Sequence, residues 1–302
     1  MTWIVPLSIG LVMGLIMAWP VLAFASSFRL IGFPDLTLEG SLPTGAAVYA
    51  VATINGWSMV PAIVAAMIAG AVLGAMTATI HLRFRVNKFL AGIIVVAISY
   101  TLDLRLMNSS NVGLIDRPSL FDFTTQLNQL GGNQFQLATI GMLAAMLVIG
   151  AMLLLGAINA PVGLRLRVAG SNPDYARALG LSVSAYLVSG LAITNALVAA
   201  SGALLAMYQG FSDVSMGQGA LILALASMTI GERLVPERFF SIPVFVIVSA
   251  ITGSLVYEVL LAYAIRLGLA ATDLKMATAF FVLGVIAFRI NKQDDQFLEV
   301  LR

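Results

Sequence analysis

The clearest chemical possibility in this chain is a pair of aspartates at matching places. GFPDLTL at 32–38 and GFSDVSM at 210–216 share glycine, phenylalanine and aspartate in register, which sets Asp35 opposite Asp213. Such carboxylates could line a passage, hold a substrate amine, or hold a broken backbone open. They could equally act as caps, each accepting backbone N–H groups at the start of the following short helix. Capping is the expectation adopted for both. Thr37 and Ser215 are alternative caps, and Ser215 stands in capping-box spacing to Gln218. Glu39 breaks the symmetry, because its counterpart is Gly217. Short helices expected from about Ser41 and Gly217 would point their positive ends at the breaks, and such ends suit the carboxylate of a zwitterion. The candidate route for a solute is therefore Asp35, Thr37, Glu39, Ser41, Thr44, Asp213, Ser215 and Gln218.

Other ionisable and polar groups carry weaker expectations. Asp103 and Glu258 fall near the ends of apolar runs, so wetted interface positions are expected for both, although ionisable groups at membrane depth are functional candidates by default. Asn195 is expected to hydrogen-bond between helices, and His81 is assigned no role. The chain has no cysteine and a single histidine, which removes thiolate chemistry and an imidazole-only metal site. It has neither a phosphate-cradling GxxxxGK[ST] loop nor a GxGxxG turn. No metal, cofactor or catalytic set is expected within it.

The elements that position these residues follow from composition. Of 302 residues, 60% are hydrophobic and 10% charged, and the mean hydropathy is +0.99. Soluble domains carry about 25% charged residues, so this is an all-α polytopic membrane protein. About 20 apolar residues cross the hydrocarbon core. Charge-free runs then give about nine segments, near 3–28, 41–55, 57–81, 89–106, 135–159, 183–208, 217–231, 239–264 and 274–290, the second and seventh being short. Lys and Arg bias orients the chain. A cytoplasmic C-terminus puts 12 basic residues inside, Arg29, Arg83, Arg177 and Arg233 among them, against Arg105, Arg117, Arg266 and Lys275 outside. The pI near 9.0 comes from these flanking residues, so no nucleic-acid partner is expected.

Two polar stretches connect the spans. The outer loop 108–134 is the long polar segment on its face and would meet an external partner. In the inner loop 161–182, Asn172 suits an N-cap, Pro173 the first helical position, Asp174 the positive helix end and Gly180 the stop. A helix of about two turns is predicted there. The matched breaks, together with the opposite sidedness of the corners at Arg83 and Arg266, predict inverted repeats over about 3–106 and 183–290. Transporters built so place substrate where paired broken helices meet.

FPDLTLEGS at 33–41, LRVAGSNPDYARALG at 166–180 and the stretch 195–231 resemble the membrane subunit of bacterial ABC importers. The likeness is to the branched-chain amino acid and ribose permease group, and within it to the subgroup that accompanies tryptophan/tyrosine-type binding lipoproteins. The resemblance implies a single permease domain over 1–302 in the bacterial inner membrane. It implies a homodimer, with a separate ATPase carrying ATP and magnesium below and an extracytoplasmic substrate-binding protein above. The inner helix, with Asn172, Pro173, Asp174, Tyr175, Arg177 and Gly180, would dock in the ATPase. The cargo it implies is an amino acid, of the aromatic kind if the subgroup holds. A secondary transporter would share the inverted repeat but would hold ion-coupling carboxylates mid-span, and a structural membrane subunit would need no paired breaks.

Overall fold

Backbone polar groups in hydrocarbon must satisfy one another, so long apolar runs fold as helices. The computed structural model describes residues 4–115, 117, 119–122, 124, 136–268, 273 and 276. In chain order the elements are α1 (Ile4–Arg29), α2 (Leu38–Ile54), α3 (Met59–Phe84), α4 (Lys88–Met107), β1 (Asn111–Gly113), α5 (Leu137–Asn159), α6 (Pro161–Ser171), α7 (Pro173–Ala178), α8 (Val183–Gln209), β2 (Phe211–Asp213), α9 (Ala220–Leu234) and α10 (Ile242–Arg266). Six of them, α1, α3, α4, α5, α8 and α10, are long and apolar enough to cross a membrane. The segment expected at 274–290 lies outside the described residues except for Met276. So do Asp116, Pro118, Phe123 and residues 125–134 of the outer loop.

α1 and α8 form the buried centre, and α3, α4 and α5 keep broad outward faces. In α3 the division is by residue size. Val60, Val64, Ile68 and Val72 stand exposed at four-residue spacing, whereas Ala62, Ala66, Gly70 and Gly74 are buried on the other face. Hydrophobicity gives two helices no reason to associate in lipid, so small residues that admit close contact decide which face packs. A Cβ on Gly70 or Gly74 would run into the α8 backbone at Asn195 and Leu191. α2 meets α8 likewise, through Gly45 against Ala199 and Gly202 against Leu42. α9 and α10 interlock through Gly231 and Gly253.

Three features differ from the sequence expectation. α2 starts at Leu38 and α9 at Ala220, a few residues away from the predicted starts. The inner stretch holds two helices instead of one, because Pro161 opens α6 as Pro173 opens α7. The second break begins as a strand: β2 pairs antiparallel with β1, Asn111 opposite Asp213, in a two-stranded ribbon joining the ends of α4 and α8.

Candidate functional site

The first break leaves α1 after Arg29 and enters α2 at Leu38, and its polar groups bond to one another inside the protein. One Asp35 oxygen accepts from the Thr37 N–H at 2.9 Å and the other from the Asn195 amide at 2.5 Å. Asn195 also donates to the Leu191 carbonyl, and its own oxygen accepts from the Ser41 hydroxyl at 2.7 Å. The hydroxyls of Thr37 and Thr77 lie 2.6 Å apart. α2, α3 and α8 are thus joined by one closed polar cluster. Asp35 is 3% exposed, and Thr37 and Ser41 are 0% exposed. Asn195 makes the interhelical bonds expected of it. The Asp35 carboxylate holds a turn at the mouth of α2 and faces no open space, and the first helical turn receives no side-chain cap from Thr37.

The second break differs in solvation. Asp213 accepts from the Ser215 N–H at 2.7 Å, from the Ser215 hydroxyl at 2.5 Å, and from the Asn111 amide across the ribbon at 3.1 Å. Partial desolvation raises its pKa, but these hydrogen bonds outweigh it, and the carboxyl sits below its ordinary 3.8. Both aspartates therefore make the same bond to the N–H two residues on, one in the interior and one at a partly exposed surface. Gln218 makes a turn back to Ser215, its N–H donating to the Ser215 carbonyl. The turn ends at Gly219, whose φ of +88° a side chain would strain.

Glu39 has the most direct link between the two breaks. It lies in the first turn of α2, and its carboxylate accepts from the N–H groups of Gly219 at 3.1 Å and Leu221 at 3.4 Å, where α9 begins. One negative charge thus faces the positive ends of both short helices. The α9 terminus expected to receive a substrate carboxylate already holds one from the chain itself. Its approach is close, since a Cβ on Gly217 would strike the Glu39 carbonyl.

Asp103 and Glu258 are buried and do not stand on the outer surface. Asp103 is 1% exposed, with one oxygen accepting from Thr44 at 3.0 Å and the other buried without a partner among the described residues. Glu258 is 7% exposed. The packing of α2 against α4, and of α1 against α10, buries them. Glu258 lines a cavity of about 470 Å³ between α1, α2, α8, α9 and α10, with Met17, Leu42, Gln209 and Gln218. Of the eight residues expected along a solute route, Gln218 alone lines this cavity.

At the opposite end, α7 has the predicted local form. Asn172 accepts from the Tyr175 N–H at 3.0 Å, Pro173 opens the helix, and Arg177 pairs with Asp174 at 2.6 Å. Gly180 turns the chain with φ +74°. Tyr175 and Leu179 stand exposed beside Arg177, so the helix presents apolar and charged groups together. Nearby, Arg29 and Glu232 form a two-pronged ion pair that ties the end of α1 to α9. Among the described residues no three His, Asp or Glu side chains converge as a metal site requires.

Residues 7–287 match the family described as branched-chain amino acid transport system / permease component. The chain belongs to that family. It is an ABC importer permease of this superfamily. The permease is 32% identical over 273 residues to the tyrosine transport system permease protein of Clostridioides difficile, covering 90% of this chain and 88% of that one. It is 29% identical over 275 residues to the uncharacterized protein RP368 of Rickettsia prowazekii, at 91% and 92% coverage. Among solved structures, PsaBC from Streptococcus pneumoniae in complex with Fab is similar over 92% of this chain and 89% of that one, at 16% identity and a TM-score of 0.49.

Proposed function

We propose that this permease forms the translocation pathway of an ATP-driven importer for an amino acid, of the aromatic class. The observation that carries the substrate class is the near full-length similarity to a tyrosine transport permease. The energy source is a separate ATPase that grips α7. The cargo arrives on an extracytoplasmic binding protein that meets the 108–134 face. Two copies of the chain enclose the path in the bacterial inner membrane, with the C-terminus cytoplasmic. Two inverted halves underlie the fold, with nine membrane segments in all. The shared Asp35 and Asp213 turns before two short helices support that symmetry. In this reading the buried Asp35 and Ser41 tie the first half to Asn195 of the second, Thr37 ties the first break to α3, and Glu39 joins the two breaks. Asp213, Ser215 and Gln218 are the break residues within reach of a solute.

The test is reconstitution. The chain, co-produced with the ATPase and binding protein encoded beside it, is placed in proteoliposomes, and uptake of radiolabelled L-tyrosine, L-leucine and D-ribose is followed with and without ATP. ATP-dependent uptake of tyrosine above the others is expected. Uptake of ribose alone, or uptake of an amino acid without ATP, would overturn the proposal.

A further inference from the structure

The 470 Å³ cavity is of a size that takes a small ligand. Its wall is largely apolar, with Met17, Leu42 and Leu261 among its residues, and four side chains with polar groups line it: Gln209, Gln218, Tyr257 and Glu258. Glu258 is more than nine-tenths buried where α1 packs against α10 and lines the cavity, yet among the described residues it makes no hydrogen bond and no ion pair. Among the described residues no lysine or arginine lines the cavity. A carboxylate at this depth is costly unless it takes a proton or faces a cation. The α9 N–H groups of Gly219 and Leu221 are occupied by Glu39, so that helix end does not supply an anion site. The side-chain amides of Gln209 and Gln218 have no partner among the described residues.

We infer that Glu258 is the ammonium-binding residue of a transient site for a zwitterionic amino acid. Gln209 and Gln218 face the carboxylate of the cargo, and the apolar wall faces its side chain. This rests on the function proposed above and adds to it the residue that reads the amine. No covalent bond joins cargo and protein. Glu258 carries a proton while the cavity is empty, releases it to water as it forms the ion pair with the entering ammonium, and takes one up again when the cargo leaves.

The competing role is a permanently protonated acid that only packs. Glu258→Gln separates the two, because glutamine copies the protonated acid in shape and cannot carry charge. In proteoliposomes holding the whole importer, E258Q is expected to import L-tyrosine at least tenfold more slowly than wild type, with an unchanged melting temperature. Import at the wild-type rate overturns the inference. Where the variant fails to fold, the wild-type complex in nanodiscs decides. Dicyclohexylcarbodiimide labels Glu258, and peptide mass spectrometry reads the extent. L-tyrosine and tyramine should slow the labelling severalfold, whereas 3-(4-hydroxyphenyl)propionate, which lacks the amine, should not. Labelling that ignores the amine overturns the inference. A wild-type importer that moves no amino acid overturns the functional reading instead, and the labelling still answers for the cavity.

Discussion

The two aspartates look equivalent in the sequence and differ in what surrounds them, so one substitution should separate them. Asparagine has one acceptor oxygen. At position 35 it can serve the Thr37 N–H or the Asn195 amide, whereas the carboxylate serves both. Asp35→Asn leaves a buried amide facing an amide, at a cost of about 1–3 kcal/mol. Asp213 is partly solvated, and water can replace a lost partner there, so Asp213→Asn should cost only about 0.5 kcal/mol. Thermal unfolding in nanodiscs would show a clear drop for the first variant and little for the second. Equal shifts would mean that the interior cluster does not hold α2, α3 and α8 as described. Acid behaviour follows from the Asp213 hydrogen bonds. Its carboxyl is held below 3.8, so its contribution is fully present above the unfolded pKa and fades only as pH falls below about 4. Between about pH 5 and 8, well above that range, the Asp213→Asn difference in melting temperature should stay constant. Glu39→Ala removes the acceptor at the start of α9, and a loss of about 1 kcal/mol is expected, seen as a lower melting temperature than that of Glu39→Gln.

At the scale of elements, glycines set how closely the helices approach. Gly253 on α10 faces the α9 backbone at Ser227, and Gly231 on α9 faces Ser249. Gly253→Ala must separate two backbones, at about 1–3 kcal/mol, and a fall in folded yield by fluorescence-detected size exclusion would report it. Val72, exposed on the outer face of α3, serves as the control, and Val72→Ala should leave the yield unchanged. α7 responds differently. Its Asp174–Arg177 pair is exposed and worth little, so Arg177→Glu should leave the fold intact while reducing recovery of the ATPase in pull-downs. Recovery equal to wild type would remove α7 from the contact. The sequence was most legible in elements of this kind. Asn172, Pro173 and Gly180 each act on their own backbone, and the helix they predict is the helix observed. Long apolar runs were legible for the same reason, since the bilayer constrains every residue in them alike. Contacts between distant segments were not. Nothing near Asn111 announces a strand partner 102 residues on, and nothing near Glu258 announces that α1 will pack beside it. In the sequence Glu39 is a break in symmetry and a candidate route residue, and the helix end it fills belongs to the other half of the chain.

Across the whole molecule, α1 runs through the middle, packed against both α8 and α10. Its carbonyls at Ile16 and Gly14 accept hydroxyl donors from Ser201 and Ser254. Gly10 and Gly14 provide the flat surface on which α10 lies. The two hydroxyl partners stand 185 and 240 residues away in the chain. During synthesis, therefore, α1 waits for the segments carrying Ser201 and Ser254 to be made before its packing surfaces are covered. A ribosome-bound chain stopped ahead of Ile242 should leave Gly10 and Gly14 open to lipid-soluble crosslinkers and to membrane proteases, and one stopped beyond Arg266 should not. The position of this one helix makes assembly order, as much as final stability, a property on which selection can act.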